Sequence, residues 1–146
     1  MITKKESKIL QALRNNGRAS LVTIGARTNM PKSTVFDKIT RLNKEKAIQF
    51  TCLLHFEKLG FNEHHLFLIK VNNKKQELEQ YLSDNTQINN LYTSVEFDFI
   101  FETVSESENE IKAFLSSLMQ KFPINFIQKI RLNKEICREN FWRDKK

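Results

Sequence analysis

The chain reads as an α+β protein of two modules, and three observations carry that prediction. Short helix-forming segments separated by tight-turn signals occupy the first 50 residues. After them the apolar pattern changes to strands and helices in the order βαββαβ. The cationic excess, finally, is confined to the first part. Residues 1–60 hold 12 Lys+Arg against 4 Asp+Glu, a net +8, while residues 61–146 hold 12 against 13, a net −1. Phosphate neutralisation needs cations concentrated on one module, so this division suits a polyanion partner. On charge alone, a lysine-rich solvated surface remains an equal alternative.

The first helix is predicted over Lys4–Asn15, where Ile9, Leu10 and Leu13 share a face. Asn16-Gly17 is expected to close it, with glycine in the left-handed conformation. Ser20 can cap a second short helix whose inward side is Leu21, Ile24 and Gly25. Gly25, a poor helix former, fits a helix that approaches a neighbour closely. Asn29 readily takes positive φ and can make a tight turn before Met30-Pro31. Pro31 suits the start of a third helix, which runs to about Lys44. There Val35, Ile39 and Leu42 fall within about 60° of one another, while Ser33, Asp37, Thr40, Arg41 and Lys44 face the other way. Three helices with a tight turn between the second and third make a helix-turn-helix, the third being its recognition helix.

Ala47–Phe56 is apolar and rich in β-formers, predicting a wing strand, and Leu59-Gly60-Phe61-Asn62 predicts a hinge. Strands follow over His65–Val71, Ile88–Val95, Phe97–Val104 and Ile124–Leu132, with helices over Gln76–Asp84 and Glu108–Phe122. That order is the ferredoxin-like motif, a four-stranded sheet with two helices on one face. The expected organisation is a helix-turn-helix DNA-binding domain over 1–50, a wing strand and hinge over 51–62, and a ferredoxin-like oligomerisation and effector domain over 63–146. Phe97, Phe99, Phe101 and Phe114 are expected in its core and at a dimer interface. The stretch "NKEICRENFWRDKK" after Leu132 suits either a short amphipathic helix through Ile136, Asn140 and Phe141 or an ordered arm.

Several function classes fall away. No apolar stretch approaches the ~20 residues needed to cross a bilayer. Cys52 and Cys137 suit neither a disulfide framework nor a zinc knuckle, and no signal segment is visible, so a reduced cytoplasmic protein is expected. His64-His65 lacks further ligands at metal-binding spacing, and no metal site is expected. Glu96 and Asp98 read as a polar turn entrance. With no Ser-His-Asp order, Gly-rich phosphate loop or Cys-His nucleophile, neither a catalytic residue nor a cofactor is expected.

The candidate DNA contacts are Lys32, Ser33, Thr34, Asp37, Lys38, Arg41 and Lys44 on the third helix, together with Arg18. The lysines would hold phosphate, Arg41 either phosphate or a base edge, and Ser33, Thr34 and Asp37 would read bases. Arg18 and Arg27 serve equally well as phosphate clamps or as helix-end caps.

The order and spacing of these pieces resemble the Lrp/AsnC family, the feast/famine transcription regulators. "KILQALRNNGR" (Lys8–Arg18) is similar to that family's first helix and closing arginine, "STVFDKITRL" (Ser33–Leu42) to its recognition helix, and "KLGF" (Lys58–Phe61) to its hinge. The resemblance spans nearly the whole chain. It implies a regulator that binds double-stranded DNA as a homodimer through paired ferredoxin-like domains, with assembly to octamers and, in many members, an amino-acid effector. The effector loop implied here holds Val95, Glu96 and Asp98. Asp98 matches the family pattern in "SVEFDF", but Val95 stands where glycine is expected, so no amino-acid effector is expected. Ser7 replaces a common acidic residue of the first helix, Gly25 a usual Ala, and Asn29 and Pro31 the usual Gly and Ser of the turn, which removes a helix-capping serine. Two alternatives share the architecture. The siroheme decarboxylases do, although their histidine- and tryptophan-bearing segments are unrecognisable where Trp142 is the only Trp. So does a non-sensing subunit that forms mixed oligomers with a related regulator.

Overall fold

The computed structural model describes residues 2–138 and residue 141. They form two compact units, one of residues up to Leu53 with the segment from Ile136 onward, the other of Leu54–Glu135. The segment from Ile136 was expected with the second module and instead belongs with the first. The reason is local: Arg14 Nε donates to the Phe141 carbonyl at 3.1 Å, and Ile2, Leu10, Arg14 and Phe141 line one hollow of about 420 Å³. Residues 132–137 form no helix. The helix proposed through Asn140 otherwise lies outside the described residues.

In the first unit, helix α1 (Lys4–Asn15) opens on a reciprocal cap. Thr3 Oγ1 accepts the Glu6 N–H at 3.3 Å, and the Glu6 carboxylate accepts the Thr3 N–H at 2.9 Å. The helix does not close on a left-handed glycine, because Gly17 has no positive φ. Asn16 closes it instead, in extended backbone, its side-chain oxygen accepting the Arg18 N–H at 3.0 Å. Helix α2 (Leu21–Thr28) is capped by Ser20, as expected, and ends at Asn29 with φ 54° and ψ 49°. Helix α3 (Lys32–Lys44) follows Pro31, with no side-chain cap on its first turn. Ile9, Ala12, Ile24, Met30 and Val35 form one buried cluster, flanked by Leu13, Ala19, Leu21 and Ile39.

The strand expected over Ala47–Phe56 is not formed. Residues 48–55 carry no regular structure, and Phe56–Leu59 makes a 3₁₀ turn ending at Gly60, φ 92°. A lone strand leaves its backbone groups unpaired, and the only sheet among the described residues is built from later segments. Phe50, Leu53 and Leu54 are accordingly exposed.

The second unit is a four-stranded antiparallel sheet in the order β2-β3-β1-β4, from β1 (Glu63–Val71), β2 (Ile88–Thr93), β3 (Phe99–Ser105) and β4 (Ile124–Arg131). Helices α4 (Lys75–Ser83) and α5 (Glu108–Lys121) supply its expected βαββαβ order. Side chains alternate along β1 with period two. Phe67, Ile69 and Val71 point to the helices and pack with Phe99, Phe101, Leu78, Leu82, Ile111, Phe114 and Leu118. Phe67 and Phe101 face each other across the ladder and stack at 5.1 Å between centroids, while Phe114 of α5 meets Phe101 edge-on. Phe99, Phe101 and Phe114 are therefore core, and Phe97 is half-buried. Leu66, Leu68, Ile100, Tyr92, Phe126 and Ile130 lie on the opposite face, which carries no helix.

Gly25 faces the α2–α3 turn. A Cβ there would meet the Met30 carbonyl oxygen at 2.7 Å, and that oxygen is backbone. Gly25→Ala should therefore destabilise the protein by about 1–3 kcal/mol despite alanine's better helix propensity. Urea unfolding gives the sign, and a stabilised variant would show that the turn yields easily.

Candidate nucleic-acid interface

Helix α3 presents two kinds of surface. Val35 and Leu42 are buried and Ile39 partly so, as the apolar stripe requires. Lys32, Ser33, Asp37, Thr40 and Lys44 are exposed, and Thr34 is half-buried. Its first turn carries Lys32, Ser33 and Thr34 beside amide groups that no side chain caps. An uncapped helix N-terminus offers N–H donors and a partial positive charge to an anion. Arg18 is exposed ahead of α2, and Arg27 is exposed in its last turn.

Lys38 and Arg41 are held differently from the other predicted contacts. Both donate to Oε1 of Glu6, Lys38 at 3.1 Å and Arg41 through Nη2, and the Glu6 carboxylate is fully buried. Arg41 also lies 3.7 Å from Glu45, one turn on, and its side chain is 52% exposed. On a helical wheel Lys38 and Arg41 sit about 60° and 120° round from Val35, on the flank that reaches α1. They clamp α1 to α3, with a residual charge of +1 for the trio. Sequence reasoning placed Arg41 on the face opposite the core and passed over Glu6. The signal was there in "TKKE", a capping box at Thr3–Glu6. The acidic residue lacking at Ser7 is thus present one position earlier.

Hydrogen bonds from the Thr3 N–H and hydroxyl, then the cations of Lys38 and Arg41, outweigh burial and bring the Glu6 carboxyl from 4.5 down to about 2. A folded-state pKa below the unfolded one adds stability that is fully present above pH 4.5 and disappears as pH falls toward 2.

The expected effector residues lie in the β2–β3 loop. Val95 is 99% exposed, so its methyls cover no backbone of this chain. Glu96 Oε2 accepts the Ser94 hydroxyl at 3.4 Å. Asp98 has a partner on each oxygen: Oδ2 accepts the Val71 N–H at 2.8 Å and Oδ1 pairs with Lys75. The Lys75 bond, then the Val71 N–H, lower its pKa. Asp98 therefore ties the loop to the end of β1 and the start of α4.

Glu6→Gln should flatten the acid limb of the unfolding curve. In denaturant titrations from pH 5 to pH 2, the stability difference between wild type and variant should shrink as pH falls through the window from 4.5 to about 2. Parallel curves would remove Glu6 from the acid response.

Residues 2–49 match the family model described as winged helix-turn-helix DNA-binding. The HTH-type transcriptional regulator FL11 of Pyrococcus horikoshii is 28% identical over 113 residues, 75% of each chain. Among solved structures, a transcriptional regulator from Neisseria meningitidis in complex with L-Met superposes with a TM-score of 0.84 at 18% identity, covering 94% of each chain. Escherichia coli AsnC superposes with a TM-score of 0.82 at 12% identity, over 94% of this chain and 96% of its own. Residues 2–49 are thus similar to the winged helix-turn-helix DNA-binding family, and the chain has the fold of the Lrp/AsnC regulators.

Proposed function

We propose that this protein is a DNA-binding transcriptional regulator of the Lrp/AsnC type that works as a homodimer, with α3 as its recognition helix. The observation that carries the reading is the exposed polar face of α3, set on a module with a net +8 over residues 1–60. Lys32, Lys44 and Arg18 are free to approach phosphate, and the uncapped first turn of α3 adds amide donors. Ser33, Thr34 and Asp37 are the residues proposed to read base edges. Lys38 and Arg41 act first as the clamp on Glu6, holding the recognition helix at its angle to α1. The relatives reported above are named as regulators and not as enzymes. We assign the action to the cytoplasm; no helix among the described residues is long and apolar enough to cross a membrane.

Lys44→Ala should lower the slope of log affinity against log salt by about 0.9 with little change in sequence preference, as loss of one phosphate contact requires. Asp37→Ala should instead change preference at one base position by about 1–3 kcal/mol. The measurement is selection of bound fragments from random DNA followed by salt titration on the best of them. If neither variant changes affinity, slope or preference, α3 is not the reading helix.

The dimer rests on the uncovered sheet face. Tyr92 (57% exposed), Phe126 (41%) and Ile130 (37%) stand on it beside Leu66, Leu68 and Ile100. A contiguous apolar patch of this kind marks an interface, and two half-sites one helical turn apart need two copies. Association to octamers is the further step that the resemblance implies. An amino-acid effector is not part of the proposal, since Val95 stands where the family pattern has glycine. In sedimentation equilibrium of the full chain, Phe126→Asp should shift the dimer toward monomer by at least tenfold in dissociation constant. A wild-type monomer at high micromolar concentration would refute the pairing.

A further inference from the structure

We propose that Glu63, His65 and Glu108 form a binding site for a divalent first-row transition cation, zinc foremost, at the edge of the helix-covered side of the sheet in the second unit. Glu63 and His65 are alternate residues of β1 and point to the same side; Glu108 opens α5. One ligand atom from each lies within 4.8 Å of the others. His65 Nε2 is 3.7 Å from Glu63 Oε2 and 3.6 Å from Glu108 Oε2. These separations are too long for hydrogen bonds. They suit ligands of a shared ion, because zinc–nitrogen and zinc–oxygen bonds of about 2.1 Å place tetrahedral ligand atoms about 3.4 Å apart.

A second, independent observation points the same way. His65 is completely buried, and neither of its ring nitrogens has a hydrogen-bond partner. Glu63 Oε2 and Thr103 Oγ1 are also buried and unpartnered, and Thr103 faces His65 across the ladder. Buried polar groups left unpaired are costly and rare, and here several converge on one spot. A cation bound to His65 Nε2 and to the two Oε2 atoms would satisfy the imidazole nitrogen and the Glu63 oxygen together.

The carboxylates are held for the task by their other oxygens. Glu63 Oε1 accepts from Arg131 at 2.8 Å, and Glu108 Oε1 pairs with Lys129, so each carboxylate presents Oε2 to His65. Such outer partners fix ligand orientation, and here they also temper the negative charge. One imidazole and two carboxylates favour zinc or manganese over copper(I), which prefers sulfur. Three protein ligands leave a fourth position for water. The site shares no residue with α3 and stands or falls apart from the DNA reading.

The test is calorimetric titration of the chelator-treated full-length chain with zinc chloride, in a non-thiol reductant. One zinc per chain is expected, weakened at least tenfold in Glu108→Gln and in Glu63→Gln. His64→Gln should bind as wild type, since His64 points to the other face and meets Glu102. Circular dichroism checks that each variant is folded; Glu108, partly exposed at the start of α5, is the safer substitution. Cobalt in place of zinc should give a spectrum without thiolate charge-transfer bands, which separates this site from Cys52 and Cys137. Failure to take up zinc, or uptake unchanged in folded Glu108→Gln and Glu63→Gln, would overturn the proposal and leave a bridging water as the occupant.

Discussion

A carboxylate taken out of water must find donors, and the arrangement of the first module follows from how Glu6 finds them. The Thr3 amide and hydroxyl, Lys38 and Arg41 all converge on this one buried group. The same side chain thereby closes the first turn of α1 and fixes two successive turns of α3 against it. Removing either cation would leave a buried charge less well compensated, which is why pairs of this kind specify geometry more than they add net stability. The position of α3, and hence of Ser33, Asp37 and Lys44, is set by this clamp together with the apolar cluster around Ile9, Ile24 and Val35.

The α2–α3 turn imposes the matching constraint from the other end. Asn29 supplies the left-handed residue, the Met30 N–H returns to the Gly25 carbonyl at 2.9 Å, and the Met30 carbonyl lies over Gly25 where no Cβ fits. Asparagine fills a role that glycine more often takes, because its short polar side chain tolerates positive φ. Clamp and turn together leave α3 one orientation, with its charged face outward.

In the second unit the governing constraint is the period-two alternation of the strands. It sends Phe67, Ile69, Phe99 and Phe101 beneath the helices and leaves Tyr92, Phe126 and Ile130 on the uncovered face. The same alternation puts Glu63 and His65 on the helix side, where the aromatic core ends. A histidine next to Phe67 on the same face, the two rings tilted with centroids 6.1 Å apart, has its ring removed from water. Burial, followed by the nearby Lys129 charge, lowers its pKa.

What the amino-acid sequence determined by itself was the local structure. Apolar spacing placed the helices and the four strands of the sheet to within a few residues, Ser20 and Asn29 marked a cap and a turn, and the charge division marked the cationic module. These follow from near-neighbour sterics and hydrogen bonding, which depend on residues a few positions apart. The strand expected at Ala47–Phe56 failed because β-propensity acts only where a partner ladder exists, and no local signal reports one. Gly17 failed similarly: Asn16 ends the helix in extended backbone, its own N–H donating to the Ala12 carbonyl while its side-chain oxygen accepts the Arg18 N–H. Tertiary structure alone decided that Lys38 and Arg41 belong to Glu6, 32 and 35 residues away, that Asp98 caps the end of β1, and that Glu63, His65 and Glu108 meet. Each of these is a long-range encounter of charged or polar groups, and such encounters follow from the path of the folded backbone and not from spacing along the chain.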